Sequence, residues 1–180
     1  MKIKRYEWIA DRVDLLGFEI GAEVGTGKGI TAEYLLENCP KLMLYQIVYY
    51  NDGNSWSTQG AKELWRERIK PYLDRVIILN GKSTDVYKQV EDESLDFVFI
   101  DADHSYKMCL EDIRIWYSKV RRGGLVCGHD YQNGRWKGVE KAVRHYFADE
   151  FKFDKRNKSD FMWWHWKKGE NEVTKSRSKD

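Results

Sequence analysis

The stretch AEVGTGKGITAEYLL, residues 22–36, places glycines at 25, 27 and 29 after a short strand-like segment and ahead of a helix-like run. Glycine admits positive φ and lets other atoms approach the main chain, and a following helix offers unpaired N–H groups at its start. A phosphate-binding P-loop, GxxxxGK(S/T), needs a glycine where Ala22 stands and a hydroxyl residue where Gly29 follows Lys28, so that reading fails. A dinucleotide fingerprint, GxGxxG, fails at Ile30. What remains is Glu23-x-Gly25-x-Gly27-x-Gly29, a strand-to-helix turn suited to a close neighbour other than a phosphate.

Outward from this turn, strands and helices alternate. EWIADRVDLL (7–16) has helical spacing with Gly17 as a stop, and residues 18–24 read as a strand. The helix after the glycines closes before Pro40, and LMLYQIVYY (42–50) has the β-branched and aromatic residues of a strand. NDGNSWS (51–57) is a loop, the charged run to Lys70 a helix ending at Pro71, RVIIL (75–79) a strand and 84–90 a short helix. LDFVFI (95–100) is a strand, 108–120 a helix, RRGG (121–124) a turn and 125–127 a buried strand. A helix over 139–147 and strands at 151–153 and 161–166 close the chain.

The strands are near-continuous apolar runs, which predicts a parallel sheet covered by helices on both faces. In such sheets ligands bind beyond the carboxyl ends of the strands, where strand order reverses. Every polar motif here lies at such an end.

Composition narrows the class. The chain has 180 residues, 42% hydrophobic, which is ample for one domain with a sizeable core. Thirty-one basic against 29 acidic residues leave a net charge of +2, so charge gives no sign of a nucleic-acid partner. Cys39, Cys109 and Cys127 are widely spaced without a CxxC and read as reduced thiols rather than a disulfide framework or zinc knuckle. The absence of a long apolar run and the acids near the N-terminus predict a cytoplasmic protein without a membrane partner. Three segments are expected: an N-terminal helix over 1–17, the domain proper over 18–166, and a solvated, disordered tail over 167–180.

The carboxyl ends of two successive strands carry IDADHSY (100–106) and GHDY (128–131). Side by side in a parallel sheet, they gather Asp101, Asp103, His104, His129 and Asp130, a cluster that is costly unless a cation or donors satisfy it. Oxygen-rich ligands with imidazole suit Mg²⁺ or Mn²⁺, with open positions for a substrate's hydroxyl oxygens.

Together, ExGxGxG and LDFVFIDADHSY…GGLVCGHDY resemble the class I S-adenosylmethionine-dependent methyltransferases, and among them the metal-dependent small-molecule O-methyltransferases of the catechol, caffeoyl-coenzyme A and macrolide-sugar or cephamycin type. The resemblance covers roughly residues 18–166. It implies an α/β fold, a Rossmann-like three-layer sandwich whose mostly parallel seven-stranded sheet has an antiparallel C-terminal strand. It implies S-adenosyl-L-methionine as cofactor, with Gly25, Thr26, Gly27 and Gly29 along its amino-acid arm and Glu23 orienting the loop or the ammonium. By position, Asp101 matches the first metal ligand and a cofactor contact, with His129 and Asp130 completing the metal set. Asp103 falls where the family contacts cofactor or has its base, and His104 where a general base stands, a role its near-neutral pKa suits. NGKSTD (80–85) falls at the adenine-side loop, where Ser83, Thr84 or Asp85 contacts the base or caps a helix.

Two departures stand out. The second strand normally ends in an acid that takes the ribose hydroxyls, whereas here Val48 stands at that place, leaving Asp52 in the next loop or Gln46 as substitutes. His129 replaces a usual carboxylate or asparagine. The reading is an enzyme methylating a hydroxyl of a small-molecule acceptor (sugar, diol or natural-product-like). Two alternatives stay open: a metal-independent enzyme with His104 as base, and a degenerate module without catalysis. His145 and His165 read as structural, while Trp56 and Trp136 lie in loops near the cleft mouth, free to stack on an acceptor or to anchor their loops. The oligomeric state is not legible.

Overall fold

The computed structural model describes residues 3–50, 60–132, 134–154 and 161–169. Seven strands form one sheet: β1 (Ile20–Val24), β2 (Met43–Val48), β3 (Val76–Asn80), β4 (Leu95–Ile100), β5 (Val120–Gly128), β6 (Lys152–Phe153) and β7 (Trp163–Trp166). Their order is β3-β2-β1-β4-β5-β7-β6. β1 through β5 pair in parallel, and β7 runs antiparallel to both β5 and β6. This is the expected three-layer, mostly parallel sandwich with its antiparallel C-terminal strand. Strand order reverses between β1 and β4, so the crevice beyond their carboxyl ends is the place for a ligand.

Both faces of the sheet are buried because alternate residues of each strand are apolar on both sides. Leu44, Val48, Phe97, Phe99, Leu125 and Cys127 pack under α1 (Arg5–Leu16), α2 (Ile30–Asn38) and α3 (Ala61–Ile69). Val24, Ile47, Val98, Ile100 and Val126 pack under α4 (Ser83–Val86), α5 (Tyr106–Lys119) and α6 (Lys137–Phe147). The continuous apolar strands of the sequence are thus the signature of a twice-covered sheet. Among the described residues, no helix is long and apolar enough to cross a membrane.

The structure departs from the sequence reading at Arg121–Gly124. The expected turn is instead the early part of β5, which runs on to Gly128 with a register shift against β4 between Leu95 and Phe97. Gly123 takes φ +77°, and Gly124 lies so close to the Asp96 carbonyl that a Cβ would sit 2.6 Å from it. The glycines shape a bulge rather than a reversal. At the other end, Lys167, expected to begin the tail, is still paired: its N–H donates to Gly124 O at 2.9 Å and its carbonyl accepts from Gly123 N at 2.8 Å. The expectation for residues 170–180 lies outside the described residues.

Candidate active site

Backbone ladders deliver the site. Beyond β1, the Asp101 N–H donates to Val24 O at 2.8 Å, and beyond β4 the His129 N–H donates to Ile100 O at 3.1 Å. Each bond extends a parallel pairing one step past the strand, so the starts of the glycine turn, the IDADHSY loop and the GHDY loop stand side by side.

The three glycines are needed for different reasons. A Cβ on Gly25, at φ +90°, would meet the Asp101 carbonyl oxygen at 2.3 Å and Ala102 Cα at 2.7 Å. Gly29 backs onto Trp65, whose Cα would lie 3.0 Å from an added Cβ. Gly27, at φ +48°, has no atom within 4 Å of that position. The neighbour that removes two of the side chains is therefore the protein itself, and of the three only Gly27 has an open Cβ position.

A cavity of about 220 Å³ is lined by Arg5, Glu23, the 25–28 turn, Ile30, Thr31 and Asp101. Glu23 is 2% exposed, and burial pushes its carboxyl up to about 8 against the opposing hydrogen bond from Gln46. Gln46 Nε2 donates to Glu23 at 2.9 Å, while Gln46 Oε1 accepts from Trp65 Nε1 at 3.0 Å. Glu23 and Gln46 are partners in the β1–β2 register. The amide expected as a substitute ribose donor is thus committed to holding the glutamate.

At the end of β2, Val48 is a core residue, 3% exposed. Tyr50 follows it, donating its hydroxyl to Gly27 O at 2.7 Å, 3.1 Å from Thr26 Oγ1. Asp52 and Trp56 lie outside the described residues. Ser83 opens α4 with no side-chain cap, its hydroxyl donating to the buried Asp112, and Thr84 Oγ1 lies 3.4 Å from Asp85 Oδ1.

Asp101, His104 and Asp130 bring one ligand atom each to within 4.8 Å of one another. His104 Nε2 lies 2.6 Å from Asp130 Oδ2 and 3.7 Å from Asp101 Oδ1. Burial alone would lower the His104 pKa, but the Asp101 and Asp130 carboxylates beside the ring carry it up to about 9. His129 Nδ1 stands 3.2 Å from Asp130 Oδ2 and 3.7 Å from Asp101 Oδ1. Asp130 is 7% exposed and takes φ +59°, a left-handed conformation that aspartate tolerates and that turns its carboxylate into the cluster's centre. Asp103 stands apart, exposed, with Oδ1 accepting the Ser105 N–H at 2.7 Å at the start of α5.

Sequence reasoning missed one contributor, Arg5, and gave another, Trp136, a different partner. Trp136 stacks on His104 with ring centroids 4.5 Å apart, holding the imidazole against the carboxylates. Arg5 reaches the cavity wall from α1, 3.9 Å from Asp101. Its signal was available: Arg5 precedes the buried Ile9 by four residues, so it continues the helix's inward stripe. His145 and His165 lie elsewhere, the first on α6 and bonded to the hydroxyl of Tyr106 on α5, the second buried in β7 against the Glu150 carbonyl.

Comparison with known proteins gives one consistent result. A family model described as a methyltransferase domain matches residues 22–131. A provisionally named O-methyltransferase of Mycobacterium sp. (strain KMS) is 32% identical over 110 residues, 59% of this chain and 46% of that protein. The chain spans a quarter to just under half the length of the curated relatives it matches. Among solved structures, a provisionally named O-methyltransferase from Klebsiella pneumoniae superposes with a TM-score of 0.70 at 18% identity, over 92% of this chain and 80% of that one. The O-methyltransferase from Bacillus cereus in complex with SAH gives 0.68 at 17% identity, over 91% and 80%. At these identities the likeness is one of fold.

Proposed function

The chain belongs to the methyltransferase-domain family, and on that footing we propose that it methylates a hydroxyl oxygen of a small molecule, with S-adenosylmethionine as donor and a divalent ion assisting. The observation that carries this reading is the double position of Asp101. Asp101 lines the cavity beside the glycine turn, and its carboxylate belongs to the cluster with His104 and Asp130. A donor seated in the first and an acceptor held at the second would be neighbours.

S-adenosylmethionine supplies an electrophilic methyl on a sulfonium, so the protein's part is positioning and deprotonation of the acceptor. Glu23, fixed by Gln46, and the Gly25–Lys28 turn seat the amino-acid arm. The donor set fits a hard divalent cation: two carboxylates and an imidazole whose ligand atoms lie within 4.8 Å of one another. Asp101, Asp130 and His104 would hold Mg²⁺ or Mn²⁺, with His129 beside them, and the ion would lower the pKa of the acceptor hydroxyl. Trp136 keeps the His104 ring in that group. In a metal-free reading His104, paired with Asp130 at 2.6 Å, would be the base. A sugar, diol or natural-product-like hydroxyl is the acceptor class this chemistry serves.

Calorimetry with S-adenosylhomocysteine, and thermal melts with Mn²⁺, Mg²⁺ or chelator, test the two halves separately. Binding of S-adenosylhomocysteine and a rise in melting temperature with divalent ion, lost in Asp101→Asn, are expected. Absence of binding overturns the methyltransferase reading. Melts indifferent to divalent ions overturn only the metal.

A further inference from the structure

We infer that Arg5, on the N-terminal helix outside the matched family segment, reads the carboxylate of the cofactor's amino-acid arm and so selects an intact amino acid over a truncated or decarboxylated arm. The inference rests on the proposed use of S-adenosylmethionine and adds to it a residue that the family segment, 22–131, does not contain.

The charges around the cavity are the argument. Its wall holds two carboxyl groups, Glu23 and Asp101, near the floor made by β1 and β4, and one guanidinium, Arg5, brought in by the helix above. A zwitterion is the ligand type that answers both poles: its ammonium faces the carboxyls and its carboxylate faces the guanidinium. A purely cationic arm would meet Arg5 with like charge, and a purely anionic one would meet Asp101.

The placement of Arg5 is built into α1. Ile9, Ala10 and Val13 are buried, and Arg5 stands one turn before Ile9 on the same side, where the core gives way to the cavity. The helix is fastened on both flanks: Tyr6 packs on Tyr34 of α2 with centroids 4.7 Å apart, and Trp8 on Trp164 of β7 at 4.9 Å. Arg5 is half-buried, whereas Lys28, the other cation on the wall, is exposed and sits on the glycine turn. A half-buried, pre-positioned guanidinium presents a forked donor pair to a carboxylate, and a solvated lysine does not.

The test compares S-adenosylhomocysteine with its decarboxylated analogue, S-adenosyl-3-thiopropylamine, by calorimetry on wild type, Arg5→Met, Arg5→Lys and Lys28→Met, with thermal melts to confirm folding. Wild type is expected to prefer S-adenosylhomocysteine by about 10- to 100-fold, the range for a hydrogen bond between charged groups. Arg5→Met is expected to abolish most of that preference by weakening only the intact ligand, Arg5→Lys to restore part of it, and Lys28→Met to leave it in place. Equal weakening of both ligands by Arg5→Met, an unchanged preference in Arg5→Met, or loss of the preference in Lys28→Met overturns the assignment while leaving the methyltransferase reading intact. Wild type that binds neither ligand overturns both.

Discussion

Alanine at Gly25 and alanine at Gly27 are expected to fail in different assays. At Gly25 the added Cβ would sit 2.3 Å from the Asp101 carbonyl oxygen, against the 3.4 Å at which ordinary contact begins, so the backbone leaving β1 or β4 must move by about 1 Å. The displaced segment holds the 2.8 Å bond from Asp101 N–H to Val24 O. Left-handed strain of about 1–2 kcal/mol, overpacking of about 1–3 kcal/mol and a weakened hydrogen bond of about 1 kcal/mol together predict a loss of about 3–6 kcal/mol. At Gly27, with φ +48° and nothing within 4 Å, only the strain of about 1 kcal/mol remains. Urea unfolding followed by circular dichroism measures both. Calorimetry with S-adenosylhomocysteine then separates them further: Gly27→Ala, folded but with a methyl beside the cavity, is expected to bind at least about tenfold more weakly, the effect of a misplaced methyl group on a close-packed ligand. Gly27→Ala as destabilised as Gly25→Ala would refute the reasoning, because it would place a protein neighbour where the structure has open space.

Other consequences follow from the buried polar groups. Asp112, 1% exposed on α5, is pushed up to about 6 by burial, against the Ser83 hydrogen bond and with Asp103 and Glu111 adding repulsion. The native state therefore holds a proton that the unfolded chain releases near 3.8, so stability from this group is full below about pH 4 and is lost as pH rises through about 6. Asp112→Asn is expected to match wild type in urea unfolding at pH 4 and to exceed it at pH 7.5 by up to about 3 kcal/mol; a difference independent of pH would refute this. Gln46→Leu strands the Glu23 carboxyl and the Trp65 N–H together, with an expected loss of about 2–4 kcal/mol in urea unfolding, and a loss within 0.5 kcal/mol, about that of a surface change, would contradict it. Trp136→Ala should weaken Mn²⁺ binding about tenfold while leaving S-adenosylhomocysteine affinity alone, and parallel loss of both would mean that the ring supports the whole loop instead.

The sheet was legible because its signal is periodic, apolar strands alternating with helical runs, whereas the reversal between β1 and β4 shows only in the folded order. Where composition argued against pairing, as at Arg121–Gly124, non-local hydrogen bonding prevailed and the glycines became a bulge. The site was legible as a set of residues, less so as an arrangement. Gln46 read as a free amide because its partner across the β1–β2 register, Glu23, is visible only once strand neighbours are known. That the His104 ring meets Asp130 on one edge and Trp136 on a face was not legible, because a loop has no period to show it. Arg5 was overlooked because an arginine near the chain's start reads as solvated unless its place on the Ile9 stripe is weighed.

The position of β7 has a consequence for the order in which the protein can be assembled. β6 is made before β7 yet lies outside it, so its described pairing must wait until residues 163–166 have entered between it and β5. The loop carrying His129 and Asp130 waits too, for the Tyr131 N–H is held by the Phe161 carbonyl at 2.8 Å, just ahead of that strand. During synthesis the crevice between β1 and β4 can form ahead of the cluster, whose last carboxylate is set only after residues 163–166 have emerged.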